Sequence, residues 1–211
     1  MRLRTLAAVA TALAVGGAAA FYVNERRAEK PNHRLRRKDG MFELRDYDPV
    51  LVATVSRTGA QGNALDSGFD RLAAYIFGKA RSGHDSAVGA GAYRGRRDRI
   101  AMTAPVLQKR GETNGEWRIR FVMPSEYTLT TLPQPPEDIA LDEIPARRMA
   151  AIQFSGSPDA EQLRQRQDEL RRWCERMKLQ PTGGFEYAFY NSPFTPPPLR
   201  RNEVLVPVSR R

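Results

Sequence analysis

The residues that could support chemistry are few and lie far apart in the chain. Among 211 residues there are one cysteine, Cys174, and two histidines, His33 and His84. A single cysteine excludes an internal disulfide and a multi-thiolate zinc or iron–sulfur site. Nucleophilic catalysis needs a base on a rigid element, yet His33 lies in a basic stretch and His84 in a glycine-rich one. The sequence therefore favours a protein that is not an enzyme.

Other catalytic patterns are also weak. Residues 89–95, GAGAYRG, miss the dinucleotide-binding spacing by one residue and do not lead from a strand into a helix. The carboxylates Asp138, Asp142 and Glu143 could exchange protons only if they were buried and close together. A solvated acidic face is the simpler interpretation, and a small-molecule hydrolase stays an alternative.

The net charge of +10 lies at the two ends of the chain. Arg2 and Arg4, residues 24–38 and residues 200–211 carry the excess, whereas residues 39–199 hold 21 basic and 21 acidic side chains. Phosphate recognition needs Lys and Arg gathered on the folded surface. The charge distribution therefore predicts no nucleic-acid partner.

The amino terminus has the pattern of a targeting segment. Residues 5–23 are uncharged and follow a basic start, so residues 1–23 are predicted to be a signal peptide or a membrane anchor. Residues 24–40 are predicted to be a basic linker close to anionic lipid. The basic start favours a membrane-anchored or exported protein on the periplasmic side of a bacterial inner membrane, although the positive charges of residues 24–38 would favour the opposite orientation.

Residues 41–208 have the patterns of a folded domain of class α+β. Leu65, Phe69, Leu72 and Ile76 recur at helical spacing. A second helix is predicted after a cap at Ser157 and ends before Pro181. Alternating or apolar runs predict strands over 41–45, 50–55, 100–108, 117–123, 148–154, 185–190 and 203–208. This order is typical of an antiparallel sheet with two helices.

Four segments resemble the SOUL, or heme-binding-protein, family. They are FELRDY at 42–47, YIFG at 75–78 followed by IAMTAPV at 100–106, FVMPSEY at 121–127, and residues 187–198 followed by RRNEV at 200–204. Each segment is short, but their order and spacing together are specific, and the resemblance covers residues 41–208.

The resemblance implies a distorted antiparallel β-barrel with two flanking helices, built from two similar β-α-β-β halves. It also implies a hydrophobic cleft beside the first helix that captures heme or another tetrapyrrole. The cleft residues would be Phe69, Leu72, Ala73 and Ile76, with Arg71 and loop arginines 94, 96, 97 and 99 available to the propionates. The alternative is that the four apolar residues are core.

An iron ligand is less well defined than the cleft. His84 is a weak candidate, because no family ligand carries over to its loop, and Met102 and Cys174 are interpreted as core. Heme is therefore a possible but not an obligatory cofactor. The alternative function is a membrane-associated protein-interaction scaffold with no bound cofactor, whose protein partner the sequence does not identify.

Overall fold

The computed structural model describes residues 27–79 and 99–210. These residues form a curled antiparallel sheet and two α-helices, as predicted for an α+β domain. The elements in chain order are β1 (His33–Asp39), β2 (Phe42–Tyr47), β3 (Val50–Thr58), α1 (Gln61–Ile76), β4 (Val106–Arg110), β5 (Glu116–Val122), β6 (Ala140–Ile144), β7 (Arg147–Phe154), α2 (Ala160–Arg176), β8 (Leu179–Pro181), β9 (Glu186–Phe189), a 3-10 turn (Pro197–Leu199) and β10 (Asn202–Arg210).

The strand order requires the sheet to curl. The order is β1-β2-β7-β10-β9-β4-β5-β3-β6, with β8 paired to β10 off this path. In a flat sheet β2 and β3 would lie about 29 Å apart, at roughly 4.8 Å per strand, yet only Asp48 and Pro49 connect them. Pro145 and Ala146 likewise connect β6 to the distant β7. Two linking residues reach only about 11 Å, so the sheet closes into a half-barrel.

Both helices pack on the outer face of the half-barrel. Helix α1 lies on β3 and β5, and α2 lies on β7, β8 and β10. Alternate strand residues such as Ala53, Val55, Ile119 and Val204 point toward the helices and are buried with Leu72 in one core. This helix-covered core is the main hydrophobic core of the domain.

The inner face of the half-barrel is buried by the curl itself. Val52, Leu107, Met149, Ala151 and Leu205 occupy the opposite strand positions and form a second apolar cluster. Neither helix in the described part of the chain contributes to this cluster. The strands therefore cover one another across the interior, as in a closing barrel.

Helix α1 approaches the sheet closely at one glycine. Gly68 is buried, and a Cβ at this position would lie 2.7 Å from Cγ1 of Ile119 on β5. A real Cβ contact is about 3.5–4.0 Å. The absence of a side chain at Gly68 therefore sets how near the helix lies to β5.

Several details differ from the sequence-based expectations, and strands β6 and β8 were not predicted. The cap of α2 is Asp159, which accepts a hydrogen bond from the Gln162 amide at 2.8 Å, so the predicted cap at Ser157 was wrong. The predicted strand at 100–108 begins only at Val106. Strand β1 lies within residues 24–40, the predicted linker; its side chains are all exposed and mostly charged, so it lacks a strand-like hydrophobic pattern. The two similar halves stay a prediction.

Within residues 27–79 and 99–210, no helix has the length and apolarity needed to cross a bilayer. The segment predicted to be a signal peptide or anchor, residues 1–23, lies outside the described residues.

Candidate functional site

The residues predicted to form a cleft lie on α1, but they divide into two groups. Leu72 and Ile76 are buried in the main core. Phe69 and Ala73 are partly exposed at the edge of that core, and Phe69 meets Phe121 edge to face with ring centroids 5.3 Å apart. Only Phe69 and Ala73 of these four therefore offer surface to a ligand in this conformation.

Two further apolar side chains are exposed near the end of α1. Phe77 ends the helix and is 41% exposed, and Met102 is 39% exposed. The Ile100 amide donates to the Ile76 carbonyl at 3.0 Å, which brings the chain leading to Met102 beside the helix end. We call Phe69, Ala73, Phe77 and Met102 the α1 surface. The exposure of Met102 was not predicted, because the apolar motif IAMTAPV is typical of a buried strand.

Arg71 has an acidic partner within the domain. Its Nη2 lies 2.6 Å from Oδ1 of Asp138, and its Nε donates to the same carboxylate at 2.9 and 3.1 Å. The hydrogen bond from Arg71 lowers the pKa of Asp138. Arg57 also reaches Asp138, at 3.5 Å. A ligand carboxylate at Arg71 would therefore compete with Asp138.

The iron-ligand candidates have different positions. His84 and arginines 94, 96 and 97 lie outside the described residues. Cys174 is fully buried, and burial raises the pKa of its thiol to about 11. No cluster of three or more His, Cys, Asp or Glu side chains suited to a metal occurs in 27–79 or 99–210. Met102 lies within the described residues, and its side chain is exposed.

A charged network inside the half-barrel was not predicted. Arg45 on β2 and Glu203 on β10 are both buried and form a bidentate ion pair. Arg45 also donates to the Tyr47 hydroxyl at 2.8 Å, and the Tyr190 hydroxyl donates to Glu203 at 3.0 Å. Arg201 donates to the same carboxylate at 2.6 Å. Because each of these polar groups has a hydrogen-bond partner, we interpret the network as stabilising the fold and not as a catalytic site.

A second buried carboxylate joins three more strands. Glu186 on β9 accepts from Arg120 on β5 at 3.2 Å and from Arg147 on β7 at 2.7 Å. Its side chain is almost fully buried, whereas the two arginines are partly exposed. Like the first network, this cluster connects strands across the interior, and it leaves no free carboxylate for acid–base chemistry.

The segment that precedes β1 contacts two of the segments that resemble the SOUL family. The Glu29 carbonyl accepts from the Ala104 amide, and its carboxylate accepts from the Ser125 amide, both at 2.8 Å. These two amides belong to the IAMTAPV and FVMPSEY segments. Asn32 then accepts from the Asp48 amide at 3.2 Å. Residues 29–32 therefore connect both motifs to the turn between β2 and β3 through hydrogen bonds.

A family model described as SOUL heme-binding protein matches residues 28–207. The chain belongs to the SOUL heme-binding protein family. This family consists of binding proteins, and the match extends the expected domain to include β1. A search of curated proteins finds no match to the chain.

Solved structures share the fold of this SOUL domain at low sequence identity. The EcmrR C-terminal domain has a TM-score of 0.56 at 13% identity, covering 81% of this chain and 98% of that one. A hydrolase from Listeria innocua has a TM-score of 0.54 at 12% identity, covering 82% and 94%. EcmrR in a cryo-EM complex with DNA has a TM-score of 0.58 at 10% identity, covering 100% and 70%. At these identities the likeness concerns the fold alone.

Proposed function

We propose that this SOUL protein captures heme or another tetrapyrrole on the α1 surface. Family membership is the observation that carries the proposal. The partly exposed Phe69 and Ala73, together with the exposed Phe77, supply the kind of apolar wall that a flat ring requires. Leu72 and Ile76 support this wall from behind, and they would meet the ring only if the helix shifted.

A tetrapyrrole also carries carboxylates, which need cations at the rim of the site. Lys79 and Arg99 are both exposed and adjoin the end of α1, because the Lys79 amide donates to the Ala74 carbonyl and Ile100 pairs with Ile76. These two cations, and Arg71 if it leaves Asp138, are in position to pair with propionates.

We propose that capture relies on apolar contact and does not require an iron ligand. The Met102 sulfur is the available soft ligand on the α1 surface, and thioethers are used in some heme proteins. The buried Cys174 thiol does not fit this role. The buried carboxylates of Glu203 and Glu186 are both paired with arginines, which agrees with binding without catalysis. The net charge of residues 39–199 is zero, which favours a small ligand over nucleic acid.

The test is a titration of the full-length protein with hemin and with iron-free protoporphyrin, followed by Soret absorbance. The proposal expects saturable one-to-one binding of both. The variant Ala73→Glu places a carboxylate on the α1 surface and should weaken binding at least tenfold, because the ligand would desolvate an unpaired charge. Asn63→Glu adds the same charge to an exposed position on the same helix and should leave the affinity unchanged.

Absence of saturation with either ligand would overturn the proposal. Equal effects of the two glutamate variants would instead show that binding occurs away from the α1 surface. Binding of hemin but not of protoporphyrin would contradict capture by apolar contact and point to iron ligation.

We also propose that residues 1–23 attach the protein to a membrane or direct its export to the periplasm. The support is the uncharged run at 5–23 behind a basic start. Cell fractionation with mass spectrometry of the amino terminus tests this. A processed amino terminus in the periplasmic fraction indicates a signal peptide, an intact one in the membrane fraction indicates an anchor, and an intact cytosolic protein contradicts both.

A second candidate function is a protein-interaction scaffold, and one loop favours it. Phe194 is 87% exposed within the proline-rich link before β10. Arg200 holds this link in place by donating to the carbonyls of Thr195 and Pro193 and to the Ser157 hydroxyl. A fixed loop that displays one aromatic ring is suited to a hydrophobic pocket on a partner. Co-purification from membranes that is lost in Phe194→Ser, but kept in Ala73→Glu, would support this function.

A further inference from the structure

A groove of about 470 Å³ lies between the β1–β2 hairpin and the end of α2. Its lining combines apolar and cationic side chains. It consists of Arg36, Arg37, Leu44, Trp173, Met177, Lys178 and Leu179. None of these residues belongs to the α1 surface. Its volume falls within the range of about 300–1,000 Å³ that is usual for small-molecule sites.

A β-bulge places Arg37 at this groove. Leu35 pairs with Arg45, but Arg37 pairs with Leu44, so one extra residue, Arg36, is inserted in β1. In regular register Arg37 would lie opposite Glu43, on the inner face of the sheet. With the bulge, Arg37 shares the helix-covered face with Leu44. Bulges often re-aim a side chain next to a functional site.

An unusual backbone conformation lies at the opposite wall. Lys178 follows the end of α2 with a φ of 55°, in the left-handed region. Helices commonly end with glycine in this conformation, because a side chain there costs about 1 kcal/mol or more. A lysine at this position adds a cation to the groove at the expense of backbone strain.

Two of the three cations that line the groove have no acidic partner within the described residues. Arg36 pairs with Asp46 at 2.6 Å. The side chains of Arg37 and Lys178 form no ion pair or hydrogen bond with any residue in 27–79 or 99–210. The nearby carboxylate of Asp39 accepts from Nε1 of Trp173 at 2.9 Å. The groove therefore combines an apolar floor with an unpaired positive rim.

We infer that this groove binds a hydrophobic organic carboxylate. The acid group would lie between Arg37 and Lys178, and its apolar body would cover Leu44, Met177 and Leu179. Each cation would form a charge-assisted hydrogen bond to the carboxylate. This site is separate from the tetrapyrrole site proposed above and does not depend on it.

The test is calorimetric titration of the full-length protein with dodecanoate below its micelle concentration. Dodecanol and dodecyltrimethylammonium serve as neutral and cationic probes of the same chain length. Saturable binding of dodecanoate alone is expected. Arg37→Ser and Lys178→Gly should each weaken it about tenfold, the usual effect of losing a hydrogen bond to a charged group. Arg172→Ser, which removes an exposed arginine of α2 outside the groove, should not.

Lys178→Gly separates loss of binding from loss of folding. Glycine adopts the left-handed conformation without strain, so this variant should melt about 3 °C higher. It should nevertheless bind dodecanoate more weakly, because the lysine cation is lost. Equal binding of the three probes, or an unchanged affinity in both groove variants, would overturn the inference. Ala73→Glu should leave dodecanoate binding intact, so failure of this site and failure of the tetrapyrrole site give different results.

Discussion

Arg45 and Glu203 form two parallel hydrogen bonds of 2.8 Å although 158 residues separate them in the chain. Their strands, β2 and β10, both pair with β7. Burial alone would raise the pKa of Glu203, but the hydrogen bonds and charge of Arg45 lower it. This pair therefore joins the first strands of the half-barrel to its last strand.

Removing one partner of this pair should lower the stability of the folded protein. Glu203→Gln removes the fully buried carboxylate of the pair and leaves Arg45 with Glu43 alone, whose carboxylate accepts from Arg45 Nε at 2.7 Å, so we expect the free energy of unfolding to fall by about 3 kcal/mol. Urea denaturation measures the change. Asp168→Asn removes one side of the exposed ion pair with Arg171 and should change stability by less than about 0.5 kcal/mol. Similar losses in the two variants would contradict the role of burial.

The same carboxylate should make stability depend on acid. The folded-state pKa of Glu203 lies below its ordinary value of 4.5, so its ionised form stabilises the protein above about pH 4.5. That stabilisation is lost as the pH falls through the lowered pKa. The stability gap between the natural chain and Glu203→Gln should therefore shrink as the pH is lowered below the ordinary glutamate pKa of 4.5. A constant gap over this range would contradict the lowered pKa.

Two glycines on α1 should respond to alanine with opposite signs. Gly68→Ala forces a methyl group against Ile119, so we expect a net loss of about 1–2 kcal/mol after the gain in helix propensity. Gly62 has open space around its Cβ position, and Gly62→Ala should stabilise by about 0.5 kcal/mol. Thermal denaturation of both variants checks the pair, and a stabilised Gly68→Ala would show that the helix can move away from β5.

Cys174 should be unreactive in the folded protein. With a pKa of about 11, its thiol holds little thiolate at about pH 8, and it is also buried. Iodoacetamide should label it about two orders of magnitude more slowly than in the urea-unfolded chain. Mass spectrometry over time measures both rates. Rapid labelling without urea would indicate that α2 opens readily.

The helices and most strands could be predicted because their side chains alternate between core and solvent. The spacing of Leu65, Phe69, Leu72 and Ile76 identified α1 correctly. Strand β1 was not predicted because no residue of it is buried, so its hydrophobic pattern is missing. Residues 100–105 are apolar for another reason: they lie beside the end of α1 and the segment before β1 rather than in the sheet.

The buried Arg45–Glu203 network and the groove between the β1–β2 hairpin and the end of α2 could not be predicted from sequence. Arg45 follows Leu44 on β2, and this apolar–charged alternation is typical of a strand whose charged side chains are exposed. The neighbouring sequence does not indicate that Glu203 of β10 pairs with it in the interior. The position of Arg37 depends on a bulge, which shifts side-chain direction without a characteristic residue type. The network depends on strands that are distant in the chain, and the groove depends on a bulge in a local hairpin packed beside α2; neither feature has a local sequence pattern.

The last strand of the chain lies in the middle of the sheet. β10 pairs with β7, β8 and β9 at once, so the half-barrel cannot close until β10 is available to pair with all three strands. We expect chains truncated before Asn202 to be sensitive to proteases. Because its partners come from distant parts of the chain, docking of β10 is expected to be a late step in folding.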